Sequence, residues 1–305
     1  MMIRMAAFLL VCGTALAGIV QDVRGAIAKG DFPAGERSIA DYRKSQGVTS
    51  EMILALSWLG RGALAAKQLD KADSYAAETR KLALAELKKR PLDAEENLPL
   101  ALGASIEVQA QALAARGERG EAVELLKTEV ARWKNTSIVT RLNKNLNLLS
   151  LEGKAAPALD AEEFLGPKPP QTKGRPVLLF LWAHWCGDCK QQAPILARIR
   201  QENPELVLIG LTQRYGYAAR GEEVSPAEEL KYIDRIRQSE PYSSLAGMPV
   251  PVSAETFRTY GASTTPTLVL IDRGGTVRMF HPGKMTYEAL SGKVAQIAGK
   301  ATRSE

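Results

Sequence analysis

Residues 176–190 read PVLLFLWAHWCGDCK, and this stretch decides the fold of the C-terminal half. Pro176 to Ala183 is a continuous apolar run, as expected of a strand covered on both faces. The run stops at His184-Trp185, and Cys189 to Asn203 then carries a helical pattern. Cys186 therefore falls where a buried strand turns into a helix, among free backbone N–H groups at the positive end of the helix dipole. Both features favour a thiolate. Cys189 lies one turn later on the same side of the helix, within reach of a disulfide. In such a pair the first sulfur is the outward nucleophile and the second resolves the mixed disulfide.

The α/β pattern continues downstream. Leu206 to Thr212 (LVLIGLT) reads as a second buried strand, and Ser225-Pro226-Ala227-Glu228 opens a helix with a capping-box signature. Thr267 to Asp272 and Thr276 to His281 form a hairpin through Arg273-Gly274-Gly275, and Met285 to Ala298 closes with an amphipathic helix. These elements predict a small mixed sheet flanked by helices. Between the second strand and the helix opened at Ser225, Gln213 to Val224 reads as a long polar loop carrying Tyr215 and Tyr217 at a strand end, the side on which α/β sites form.

Upstream, Gly153 to Pro176 is a joint rich in Gly, Pro, Ala and Lys, with Gly166-Pro167-Lys168-Pro169-Pro170 at its centre. Before the joint the chain reads as helix after helix. Leu98, Leu102, Ile106 and Leu113 fall at helical spacing, as do Ile138, Leu142, Leu146 and Leu149. Segments beginning at Gly30, Lys67 and Gly117 each open a helix and carry a small residue at the sixth place: Gly35, Ala72 and Ala122. Their separations, 37 and 50 residues, depart from the period of about 34 of a tetratricopeptide repeat. A degenerate TPR-like array and an irregular helical bundle both fit. This half has no His, no Cys after Cys12 and no phosphate-binding loop, so a partner-binding or spacer role is its default.

Residues 1–17 (MMIRMAAFLLVCGTALA) combine a basic start, a short apolar middle and an Ala-Leu-Ala end, the pattern of a cleavable secretory signal. Export leaves Cys186 and Cys189 as the cysteines of the mature chain. Two cysteines three apart are a redox pair rather than a structural framework. Across the 305 residues, 45% hydrophobic and 24% charged content exclude disordered, collagenous and disulfide-stapled classes. A net charge of +6 is dispersed and aromatics are only 6%, so nucleic acid is not an expected partner.

Trp185-Cys186-Gly187-Asp188-Cys189-Lys190 resembles the active-site motif of the thioredoxin superfamily, and most of all its exported TlpA/ResA-like thiol–disulfide oxidoreductases. Pro194, five after the second cysteine, matches the family's helix-kinking proline; Pro266 matches its cis-proline; Gly153-Lys154-Ala155-Ala156-Pro157 matches the entry to such domains. The resemblance covers roughly the last 150 residues. It implies an α/β thioredoxin-like domain at 153–305; the helical pattern before it reads as an all-α domain at 18–152, a TPR-like array or an irregular bundle. By the same resemblance Cys186 attacks, Cys189 resolves, Trp185 presents an apolar edge, and Thr265 with Pro266 receives an incoming substrate strand.

The chain departs from the family where the family keeps its proton shuttles. Phe180 stands in place of thioredoxin's buried acid, and Gln192 in place of a ResA-type Glu. Asp188, between the cysteines, opposes thiolate formation by like charge, which fits a reductase better than a strong oxidant. Asp188 or His184 is the candidate for proton transfer to Cys189; for His184 the alternative is a polar residue capping a strand end. A peroxidase would carry Pro and Thr where Leu179 and Ala183 stand. A zinc site would have to be completed by His184 and Asp188, too crowded in sequence for a tetrahedral set, so no metal or cofactor is expected. The expected partners are protein thiols and disulfides, with a separate electron donor, since no second cysteine pair is present. The rival reading is a partner-binding helical scaffold with a redox-inert C-terminal domain.

Overall fold

The computed structural model describes residues 18–298; the signal segment expected at 1–17, with Cys12, lies outside the described residues. Packing divides the chain into two compact units, one ending at Ser105 and the other beginning at Ile106.

The first unit is helical: α1 (Ile19–Ala28), α2 (Phe32–Gln46), α3 (Ser50–Ala65), α4 (Leu69–Glu86) and the first half of α5 (Asn97–Ala115). Its helices start where side chains can take up free amides. Asp31 accepts from the Ala34 N–H with Pro33 in the first turn of α2, and Thr49 accepts from the Met52 N–H at the start of α3. The core of this unit is α3, whose Met52, Ile53, Leu56, Leu59 and Ala63 are buried as it packs on α1, α2 and α4. Small residues allow that approach. A Cβ at Gly35 would come within 2.8 Å of Leu59, and Ala72 is fully buried.

The second unit holds the rest of α5, then α6 (Arg119–Arg132) and α7 (Val139–Ser150), ahead of the sheet. The strands are β1 (Glu163–Leu165), β2 (Val177–Leu181), β3 (Val207–Leu211), β4 (Val250–Val252), β5 (Thr267–Ile271) and β6 (Val277–Pro282). Between them run α8 (Gly187–Glu202), α9 (Pro226–Gln238) and α10 (Ala254–Tyr260), and α11 (Tyr287–Ala298) follows β6. The main sheet has the order β3-β2-β5-β6, with β2 parallel to β3 and antiparallel to β5. Every residue of β2, β3 and β5 is buried, which explains the unbroken apolar runs. One face packs against α8, α9 and α11 through Leu196, Ile233, Leu290 and Val294; the other packs against Phe257 and Tyr260 of α10. The expected strands, hairpin and helices are all present.

Two features of this unit differ from the sequence reading. The short pair β1–β4 and helix α10 were not expected. The start of the joint is bonded to the sheet: Gly153 N–H donates to Val277 O at 2.8 Å and Ala156 N–H to Gly275 O at 2.9 Å, so it lines the edge of β6. The change of sequence pattern at Gly153 and the division of packing at Ser105 thus fall at different places. The physical reason lies in α7. Its Asn143 and Asn147 side chains donate to the carbonyls of Arg258 and Thr259 at 2.9 and 3.0 Å, satisfying the open C-terminal end of α10. Gly261, in the left-handed conformation at φ 68°, ends α10 so close to α7 that a Cβ would run into the backbone of Lys144.

Gly261→Ala is expected to lower stability by roughly 2–4 kcal/mol, from the left-handed backbone and the forced separation of α7 from α10 together. Thermal unfolding of the variant beside the parent checks it; an unchanged midpoint would show that α7 is not held there.

Candidate active site

The site forms where β2 ends. Trp182 is fully buried, donates its Nε1–H to Gly210 O at 3.3 Å and lies tilted on Tyr242 at 4.7 Å, so it anchors the exit of the strand. Trp185, by contrast, is 51% exposed. Between them His184 turns inward, and Cys186 becomes the N-cap of α8.

Cys186 and Cys189 are joined by a disulfide, their Cα atoms 5.2 Å apart. Cys186 Sγ accepts from the Cys189 N–H at 3.0 Å, the bond of an N-cap side chain to the first turn. The same sulfur lies 3.4 Å from Thr265 O. Cys189 is fully buried and Cys186 only 3% exposed, so the expected outward nucleophile is more enclosed than its position implied. Thr265–Pro266 is a cis peptide immediately before β5. It comes beside the cysteines because β5 pairs with β2 in the register Leu181↔Thr267. Thus four expected site residues, Cys186, Cys189, Thr265 and Pro266, converge. Pro194 sits inside α8, as its motif position implies.

The two acid replacements are accommodated without charge. Phe180 is fully buried and stacks on Trp182. Gln192 is fully buried, and its Oε1 accepts from the Met285 N–H at 2.7 Å, tying α8 to the start of the last helical segment.

Asp188 and His184 lie in opposite environments. Asp188 is half exposed and forms an ion pair with Lys284 Nζ at 3.1 Å. Lys284 follows Gly283, whose N–H donates to Pro266 O at 2.7 Å, so the pair spans the cysteine helix and the cis-proline side of the site. Lys284 escaped the sequence reading because nothing local marks it. His184 is 3% exposed and boxed edge-on by Tyr215, Tyr217 and Tyr232, with ring centroids at 5.6, 5.5 and 5.4 Å. Among the described residues, no hydrogen bond of good geometry reaches either ring nitrogen. Burial holds its pKa below the ordinary histidine value, with the Glu229 carboxylate and the Tyr217 backbone acting against that shift. Tyr215 also meets Trp185 edge-on at 5.5 Å.

Two measurements follow from these surroundings. With Lys284 offsetting Asp188, Lys284→Gln is expected to slow iodoacetamide alkylation of reduced Cys186 near pH 7 and Asp188→Asn to speed it, each about twofold and less at high salt. Equal rates in all three proteins would remove Asp188 from any influence on the thiol. His184 binds a proton less readily folded than unfolded. Its contribution to stability is therefore complete above the unfolded pKa of about 6.5 and is lost as pH falls from there towards the folded value. His184→Phe is expected to reduce the drop in Tm between pH 7.5 and pH 5; an identical drop would contradict the burial of a neutral imidazole.

Residues 170–298 match the family model described as a thioredoxin-like domain. Over 124 residues the chain is 27% identical to the thiol:disulfide interchange protein DsbE of Xylella fastidiosa, covering 41% of this chain and 55% of that protein. The chain thus spans little more than half the length of the DsbE relatives it matches. Over 149 residues it is 24% identical to the thioredoxin-like protein YneN of Bacillus subtilis, covering 47% of this chain and 78% of that one. Among solved structures, StoA from Bacillus subtilis is 20% identical with a TM-score of 0.33, covering 46% of this chain and 99% of its own.

Proposed function

We propose that this thioredoxin-like domain, preceded by a helical region, exchanges disulfides with protein substrates outside the cytoplasm and works as a reductase. The observation that carries the reading is the Cys186–Cys189 pair at the N-terminus of α8, with the Thr265 carbonyl 3.4 Å from the first sulfur. The relatives named for thiol–disulfide interchange support the same chemistry. Export is supported by the signal pattern at residues 1–17. No described helix is long and apolar enough to cross a membrane.

In the reducing direction the dithiol form begins the cycle. The Cys186 thiolate attacks one sulfur of a substrate disulfide, and the other substrate sulfur leaves as a thiolate. Cys189, losing its proton, then attacks Cys186 Sγ; the second substrate sulfur leaves and the Cys186–Cys189 disulfide forms. The substrate gains two electrons and two protons. The Cys189 N–H that already points at Cys186 Sγ stabilises negative charge there when the Cys186 thiolate opens the cycle. His184, neutral and close in sequence, is the candidate acceptor for the Cys189 proton, and Asp188 the more exposed alternative. The substrate chain would lie along Thr265 and Pro266, with Trp185 beside it. An external dithiol donor must restore the pair. The helical region, domain 18–152 by sequence pattern, would bring a protein partner to this chemistry.

Cys186→Ser is expected to abolish reduction of a protein disulfide, and Cys189→Ser to accumulate a mixed disulfide visible by non-reducing electrophoresis. Full activity in Cys186→Ser would leave the scaffold reading. Direction is read from the reduction potential of the protein lacking residues 1–17. A value near or below roughly −270 mV supports a reductase, whereas one near roughly −120 mV makes the protein an oxidant.

A further inference from the structure

Beyond the cysteines and their neighbours, one acid is buried in an unusual way. Glu229 stands in the first turn of α9 and is fully buried. A carboxylate in that position is costly unless donors meet it. Both of its oxygens are met: Oε1 accepts from the Tyr215 N–H at 2.5 Å and Oε2 from the Gly216 N–H at 2.9 Å. Two adjacent amides aimed at two oxygens form a fork that an amide side chain cannot satisfy, because its NH2 would face one of the donors.

Those amides are the root of the segment 213–224, which folds as a small flap rather than an open loop. Tyr217 bridges Glu223, the Ala218 N–H donates to Glu222 O at 2.8 Å, and the Val224 N–H donates to Gly216 O at 3.3 Å. Arg214 secures the same root, donating to Pro226 O at 3.0 Å and pairing with Glu163 at 2.6 Å. The polar tip, Ala219 to Glu223, is exposed, while Tyr215 and Tyr217 turn towards His184. A continuous path of contacts therefore runs from the carboxylate through the flap amides and Tyr215 to Trp185, the residue next to Cys186.

We propose that Glu229 is a positioning residue for disulfide exchange. It holds the Tyr215–Tyr217 flap so that its rings and Trp185 make an aromatic wall beside Cys186, against which a large apolar side chain flanking the substrate cysteine packs. The inference rests on the disulfide-exchange reading of this domain. It assigns the substrate class as extended segments with an aromatic or aliphatic residue next to the reacting cysteine, and it gives the buried acid a role in KM rather than in the chemistry.

The test compares two substrates with the chain from residue 18 onward: a peptide disulfide whose cysteine is flanked by Phe, and hydroxyethyl disulfide, too small to reach the wall. In Glu229→Gln the ratio of kcat/KM for the peptide to that for the small disulfide is expected to fall about threefold to tenfold, the worth of one edge-on aromatic contact, with the loss carried by KM. Tyr217→Ala, which leaves the clamp intact, is expected to fall in the same direction and keeps the test decisive if Glu229→Gln does not fold. A ratio at the parent value in the folded variants overturns the proposal, including the case in which only Tm falls, because a purely structural acid would act on both substrates alike. Cys186→Ser measured on hydroxyethyl disulfide separates the two readings: activity surviving there would defeat disulfide exchange itself.

Discussion

The position of Cys186 is fixed by a strand that has no freedom to move. β2 lies inside the sheet, with β3 bonded on one side and β5 on the other, and all five of its residues are buried. Its end is therefore a rigid point. The chain leaves it through Trp182, itself locked to Gly210 and Tyr242, and four residues later Cys186 caps α8. The sulfur that caps the helix is the sulfur that forms the disulfide, so capping and redox chemistry use one atom. The antiparallel register with β5 then sets Thr265–Pro266 across from it. Shifting β2 by one residue would turn its side chains to the opposite faces and dissolve this arrangement.

Around that fixed point the surroundings are sharply divided. One flank is wet and charged: Asp188 and Lys284 face each other across the site, both about half exposed, where an ion pair is worth little in stability and is screened by salt. The other flank is dry and aromatic, with His184 enclosed by three tyrosines and the fully buried Glu229 behind them. Phe180 and Gln192, where the family that the motif resembles keeps acids, carry no charge, and the buried titratable groups on this flank are His184 and Glu229 instead. The two flanks give one reactive sulfur both an electrostatic and a steric environment.

Much of this was legible in the sequence, and what was not has identifiable causes. The long strands were readable because burial on both faces leaves an unbroken apolar run. β1 and β4, three residues each, carry too little pattern, and α10 is short and half polar. The capping-box signature at Ser225 drew attention to Glu228, which is exposed and serves the helix start; its neighbour Glu229 is the buried one. Adjacent residues of one type, separated by about 100° on a helix, have opposite fates that no local rule distinguishes. The joint at Gly153 marks where composition changes. Packing divides elsewhere, because Asn143 and Asn147 attach α7 to α10 across more than a hundred residues of chain.

The sequence by itself determined the cysteine pair, its place at a strand-to-helix junction and the α/β character of the last half. Each of these is written in residues within a few positions of one another, as periodicity, helix-end chemistry or motif spacing. Only the tertiary structure decided that Asp188 meets Lys284, that His184 is enclosed with its pKa held down by burial, that the polar loop is a clamped aromatic flap, and that α7 packs with the sheet. Those outcomes depend on which distant segments share a surface, and burial and Coulomb interaction act across space rather than along the chain.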